Sequence, residues 1–129
     1  MPKEILIVDN EPGVVVPIQF LMELQGYNVM IAERGEDALD LIYQYKPDLV
    51  ILDILLPGID GYELCEIIRL DPNFRDVKII FLTAKSREVE IAKGLAIGAD
   101  TYITKPFFNV TLVTKVKEFL EKIDEIAEV

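Results

Sequence analysis

"LVILD", residues 49–53, is four apolar residues in a row followed by a carboxylate. A half-buried strand alternates apolar and polar residues. This run does not, so a strand here has both faces covered, which is the mark of a parallel sheet flanked by helices. "IIFL" at 79–82 has the same character. Working outward, strand-like runs fall at Glu4–Val8, Asn28–Ala32, Leu49–Leu52, Lys78–Leu82 and, more weakly, Thr101–Thr104. Helical spacing fills the intervals. Ile18, Leu21, Met22 and Leu24 precede the stop "QGY"; Ala38, Leu39, Leu41 and Ile42 precede "YKPD". Leu64, Cys65, Ile67 and Ile68 follow Asp60, a residue suited to an N-cap. Val89, Ala92, Leu95 and Ala96 precede Gly98, suited to a C-cap, and Leu112, Val113, Val116, Phe119, Leu120 and Ile123 line a last helix. Five alternating β–α units with right-handed crossovers make a doubly wound α/β fold. No repeat, linker or low-complexity segment breaks the pattern, so one domain over residues 1–129 is expected. "EKIDEIAEV" is expected to continue the last helix, with no output domain attached.

The chain has 129 residues, 51% of them hydrophobic, which is enough for a core and too many for disorder. Its formal net charge is −10, which argues against binding nucleic acid or an anionic membrane directly. With no His there is no Ser-His-Asp triad and no histidine metal ligand. The single Cys65 excludes an internal disulfide and a Cys-rich zinc site, and reads as a small core residue. No apolar run has membrane-spanning length and the N-terminus has no secretory pattern, so a cytoplasmic location is expected.

In a doubly wound sheet, sites form beyond the carboxyl ends of the strands. Those ends carry Asp9, Asn10 and Glu11, then Asp53, then Thr83 and Ala84, then Lys105 and Pro106. One edge of the sheet thus gathers carboxylates, a hydroxyl and an ammonium. Taken singly, Asp53 reads as a strand-end Asp capping a turn, Asp9 as a turn residue and Lys105 as a solvated lysine. "IVDNEP", residues 7–12, reads as a metal site, a weakened metal site or a polar turn, and Glu11 and Asp60 read as cap or surface groups.

Four segments carry a resemblance: "ILIVDNEP", "PDLVILDILLPGIDGYELC", "IIFLTAK" and "GADTYITKPF", in this order. Together they resemble the receiver domain of two-component response regulators over essentially the whole chain. The resemblance implies a flavodoxin-like five-stranded parallel sheet of order 2-1-3-4-5 with five helices. That order belongs to the family, whose chemotaxis regulator exemplifies it, and is not a reading of hydropathy. Asp53 then matches the phosphoacceptor, and Asp9 and Asn10 match the acidic pair that holds Mg²⁺. The backbone carbonyl of Leu55 matches the third protein ligand, Thr83 the switch hydroxyl, Tyr102 the switch aromatic and Lys105 the family's lysine. The implied partners are a sensor histidine kinase or phosphotransfer protein and an unidentified output partner. The chain would catalyse only its own phosphorylation and dephosphorylation, and is expected to be a monomer or weak dimer.

Physical chemistry fits these roles. A carboxylate attacking a phosphoryl group meets like-charge repulsion, which a divalent cation and a lysine offset. The alternative is a degenerate receiver acting as a phosphorylation-independent interaction module, kept open by Asn10, a neutral residue where the family has an acid. A flavin-binding rival needs a Ser/Thr/Gly-rich phosphate loop after strand 1, and "DNEPG" is acidic there. Three further departures set expectations. Leu55 offers no group to orient water at the acyl phosphate, and the long stem of Lys85 could cover it. Thr101 and Thr111 replace acidic residues of a dimer face on which Lys115 remains. Finally, Pro17 within "GVVVP" implies a helix that starts near Pro17 or has kinked first turns, leaving part of Val14–Val16 exposed beside the acidic pocket.

Overall fold

The computed structural model describes the backbone of residues 2–128 and the side chains of residues 2–123. Elements alternate along the chain: β1 (Glu4–Val8), α1 (Pro12–Leu24), β2 (Asn28–Ala32), α2 (Gly35–Tyr45), β3 (Leu49–Leu52), α3 (Gly61–Leu70), β4 (Lys78–Thr83), α4 (Glu88–Ile97), β5 (Thr101–Thr104) and α5 (Asn109–Glu128). A single 3₁₀ turn at Pro72–Phe74, not anticipated from the sequence, joins α3 to β4. The strands form one parallel sheet of order β2-β1-β3-β4-β5, with β3 at its centre.

The unbroken apolar strands split residue by residue between two cores. Leu6, Val8, Val50, Leu52, Ile79 and Phe81 face one way, against Ala38 and Ile42 of α2 and Leu64, Cys65 and Ile68 of α3. Ile5, Ile7, Leu49, Ile51, Ile80 and Leu82 face the other, against Val15, Ile18 and Met22 of α1 and Leu112, Val116 and Leu120 of α5. Fully burying such a side chain contributes about 1.5–3 kcal/mol. Truncating Val8 or Leu52, the last residues of β1 and β3, would also loosen the carboxylate that follows each.

Two helices differ from their sequence reading. Regular α1 begins at Pro12, which occupies its first turn, and runs through Pro17. Proline at the start of a helix loses nothing because that N–H is unpaired anyway. The carbonyl that Pro17 leaves without a donor belongs to exposed Gly13, where water can reach it. Val15 is buried, whereas Val16, Phe20 and Leu24 are 62%, 63% and 64% exposed, so Leu24 is not the core residue its spacing suggested. In α4 the expected apolar stripe Val89, Ala92, Leu95 and Ala96 faces solvent. The buried residue of that helix is Gly94, because the rings of Phe81 and Tyr102 occupy the space beneath it. A glycine adds nothing to a hydrophobic pattern, so periodicity picked the wrong face.

The anticipated caps are present. The Asp60 carboxylate accepts the Glu63 N–H at 2.9 Å, and Gly98 ends α4 with φ +128°. Cys65 is fully buried.

Candidate functional site

Hydrophobic β1 and β3 deliver Asp9 and Asp53 to the same sheet edge, where they are 3% and 2% exposed. Each buried carboxylate is fixed in the same way. Asp9 Oδ1 accepts the Glu11 N–H at 2.9 Å, and Asp53 Oδ1 accepts the Leu55 N–H at 3.2 Å. The other oxygen of each accepts from Lys105, whose Nζ lies 2.9 Å from Asp9 Oδ2 and 3.2 Å from Asp53 Oδ2. Lys105 follows β5, and its peptide bond to Pro106 is cis. The loop after Asp53 doubles back tightly enough that a Cβ at Gly61 would collide with the Asp53 carbonyl.

Glu11 joins this group. Its carboxylate makes no cap bond to α1; Oε1 lies 3.4 Å from Lys105 Nζ instead. Oxygens of Asp9, Glu11 and Asp53 all lie within 4.8 Å of one another, a set suited to a hard cation. The sequence reading treated Glu11 as a cap or surface group. A carboxylate at an N-cap position, two residues beyond a strand-end Asp, was the available signal. Asn10 is exposed and lines a hollow with Asp9, Val16 and Glu33.

The charges are mutually dependent. Burial pushes the Asp9 carboxyl up, and the neighbouring Asp53 charge adds to the rise. Lys105 and the Glu11 N–H oppose it without cancelling it. Burial alone would lower the Lys105 pKa; the hydrogen bond with Asp9 and the Asp53 charge outweigh that, so it is raised and the ammonium stays charged.

Thr83, at the end of β4, is fully buried, and its Oγ1 accepts the Lys85 N–H at 3.4 Å. Tyr102 on β5 donates its hydroxyl to the Lys85 carbonyl at 2.6 Å. One loop residue thus bonds both the hydroxyl and the aromatic singled out from the sequence. Lys85 Nζ pairs with Glu90 Oε2 at 3.4 Å, so its stem is drawn to α4 rather than across the carboxylates. The Tyr102 ring packs on Phe81, which packs on Tyr62, each pair 5.7 Å apart; Tyr62 was not singled out from the sequence.

A groove of about 540 Å³ opens beside the cluster, lined by Glu11, Val14, Pro17, Lys105 and Phe107 among others. A hollow of about 870 Å³ lies along the open edge of β2, remote from this chemistry. Among the described residues no helix is long and apolar enough to cross a membrane.

A parallel sheet of this order, with two buried acids and a lysine at its carboxyl edge, defines a class. The chain belongs to the response regulator receiver domain family, whose model matches residues 5–117. It is the receiver module of two-component signalling, a signalling domain rather than a metabolic enzyme. Solved structures agree. A candidate response regulator from Chloroflexus aurantiacus J-10-fl is 40% identical, with a TM-score of 0.89 over 94% of this chain and 99% of that one. The signal receiver domain of a signal transduction histidine kinase from Syntrophus aciditrophicus is 35% identical, TM-score 0.87, over 94% and 92%. The BeF3-activated N-terminal receiver domain of Klebsiella pneumoniae RstA is 31% identical, TM-score 0.85, over 92% and 98%.

Proposed function

We propose that this chain is a phosphorylation-dependent switch that takes a phosphoryl group onto Asp53 from the phosphohistidine of a sensor kinase or phosphotransfer protein. The observation that carries this reading is the convergence of Asp9, Asp53 and the Lys105 ammonium within 3.2 Å contacts at the sheet edge. An Asp53 oxygen forms the new P–O bond while the P–N bond to the donor imidazole breaks, its electron pair staying on nitrogen. Lys105, already on Asp53, can follow the charge onto a phosphoryl oxygen. The Leu55 N–H keeps the carboxylate oriented. Asp9, Glu11 and Asp53 would hold Mg²⁺, with the Asn10 amide oxygen and the Leu55 carbonyl as neutral ligands. Bound there, Mg²⁺ supplies the positive charge that offsets repulsion between Asp53 and the phosphoryl oxygens.

Thr83 and Tyr102 act as the switch in this reading. A Thr83 hydroxyl drawn toward the phosphoryl group releases the Lys85 N–H, and the same residue's carbonyl holds Tyr102. The donor docks on α1, whose outward face carries Val16, Phe20 and Leu24 and borders the hollow containing Asp9 and Asn10. An apolar outer face on a surface helix marks a contact surface. The chain acts in the cytoplasm as one domain over residues 1–129, and it catalyses only its own modification.

Incubation with acetyl phosphate and Mg²⁺, read by intact mass, tests the reading. The native chain should gain one phosphoryl group and Asp53→Asn should gain none. A native chain that stays unmodified at saturating Mg²⁺, while Asn10→Asp becomes modified, would leave the phosphorylation-independent interaction module as the better reading.

A further inference from the structure

Gly94 sits in the interior of α4, where glycine is disfavoured relative to alanine because it has more backbone freedom to lose. Its backbone does not require glycine, since it is not among the residues with positive φ. What distinguishes the position is the space above it. A Cβ at Gly94 would lie 3.0 Å from Cδ2 and 3.1 Å from Cε2 of Tyr102, and 3.1 Å from Cδ2 of Phe81. These separations are shorter than ordinary carbon–carbon contact, so the neighbouring rings must give by a few tenths of an ångström to admit a methyl group.

Phe81 cannot. It is fully buried on a central strand, with Tyr62 on one side and Tyr102 on the other. Tyr102 can. It is half-buried on the edge strand β5, where solvent offers its ring another position, and its hydroxyl is held by the Lys85 carbonyl. We infer that Gly94 is a positioning residue that keeps open an inward slot for the Tyr102 ring between α4 and Phe81. The missing methyl group sets how readily the ring can lie inside and bond the loop that also contacts Thr83. This deepens the switch reading and rests on it for its functional consequence; the slot itself rests only on geometry.

The test uses the full chain carrying Gly94→Ala and, separately, Gly94→Ala in a Tyr102→Val background. The readouts are NMR contacts between the Tyr102 and Phe81 rings and the thermal midpoint. Gly94→Ala should weaken the Tyr102–Phe81 ring contacts and shift the Tyr102 ring signals toward their solvent-exposed values. In the Tyr102→Val background the same methyl group should lower the thermal midpoint by less than it does in the native chain, because the two Tyr102 contacts are gone and only the one with Phe81 is left. Native ring contacts retained in Gly94→Ala, or an equal loss of thermal midpoint in both backgrounds, would overturn the slot. If Gly94→Ala does not fold, recovery of folding on adding Tyr102→Val supports the slot and failure to recover overturns it. If the ring shifts but acetyl phosphate labelling and the response to BeF3⁻ match the native chain, the slot stands and the switch role of Tyr102 falls.

Discussion

Replacing Glu11 by Gln removes one of three clustered carboxylates while keeping the side chain's shape. Two elementary charges on Mg²⁺ and one on a carboxylate, at roughly 4 Å in a water-like dielectric, interact by about 2 kcal/mol. The water-like limit applies because the Glu11 side chain is 60% exposed. Screening and the ordering of a surface side chain take about half of that away. The remaining ~1 kcal/mol means that Mg²⁺ binding should weaken roughly fivefold in Glu11→Gln, at about 1.4 kcal/mol per factor of ten. Asn10→Asp should tighten Mg²⁺ by a similar factor, lower the Mg²⁺ needed for phosphorylation, and make the metal-free protein less stable by adding a carboxylate. Calorimetric titration of Mg²⁺ into the unphosphorylated proteins, with amide shifts of residues 9–11 and 53–55 followed in parallel, measures both. Glu11→Gln binding Mg²⁺ within twofold of the native chain would refute the role given to Glu11. "DNE" would then be a weakened site resting on Asp9 and Asp53 alone.

Leu55→Asn should shorten the lifetime of the phosphorylated form by placing a water-orienting amide beside Asp53; an unchanged decay rate would remove that explanation. With Thr101 and Thr111 in place of acids, phosphorylation should drive little dimerisation through α4, β5 and α5, and sedimentation at micromolar concentration should show a monomer or weak dimer. Because Val15 is buried, the docking test belongs at Val16 or Phe20: Lys at either should reduce labelling by a phosphotransfer partner severalfold while labelling by acetyl phosphate stays unchanged. Burial pushes the Cys65 thiol up to about 11, so thiol reagents should not label it at pH 8 until the protein unfolds. The free thiol titrates near 8.5, so the unfolded chain loses this proton first as pH rises. Stability should then fall by up to about 3 kcal/mol between roughly pH 9 and 11, and Cys65→Ala should lack that part of the fall.

The sheet was legible because short apolar runs, too brief for helices, alternate with stretches of helical spacing, which leaves strands covered on both sides. The carboxyl ends of the strands gathered Asp9, Asn10, Glu11, Asp53, Thr83 and Lys105 at one edge, and the resemblance to receiver domains supplied their roles. What stayed hidden depended on contacts between distant segments. Glu11 looked like an N-cap because its reach toward Lys105 spans 94 residues of sequence. Val89 and Leu95 looked like core because the inward-facing Gly94 has no side chain to register in a hydrophobic pattern. Pro17 looked like a helix start because its cost assumes a buried carbonyl four residues earlier, and Gly13 is exposed.

Lys105 reaches across 96 residues to Asp9 and 52 to Asp53, and β3 and β4 lie between its strand and β1. A ribosome makes both acids long before it makes their lysine. While β5 is unmade or undocked, the neighbouring strands β1 and β3 bring two carboxylates to one edge with no lysine from β5 between them. The ammonium arrives only when the final strand closes the sheet, and contacts of such long sequence separation form late. In its absence from the growing chain, a solvent cation has more to offer those two acids than it has in the finished protein.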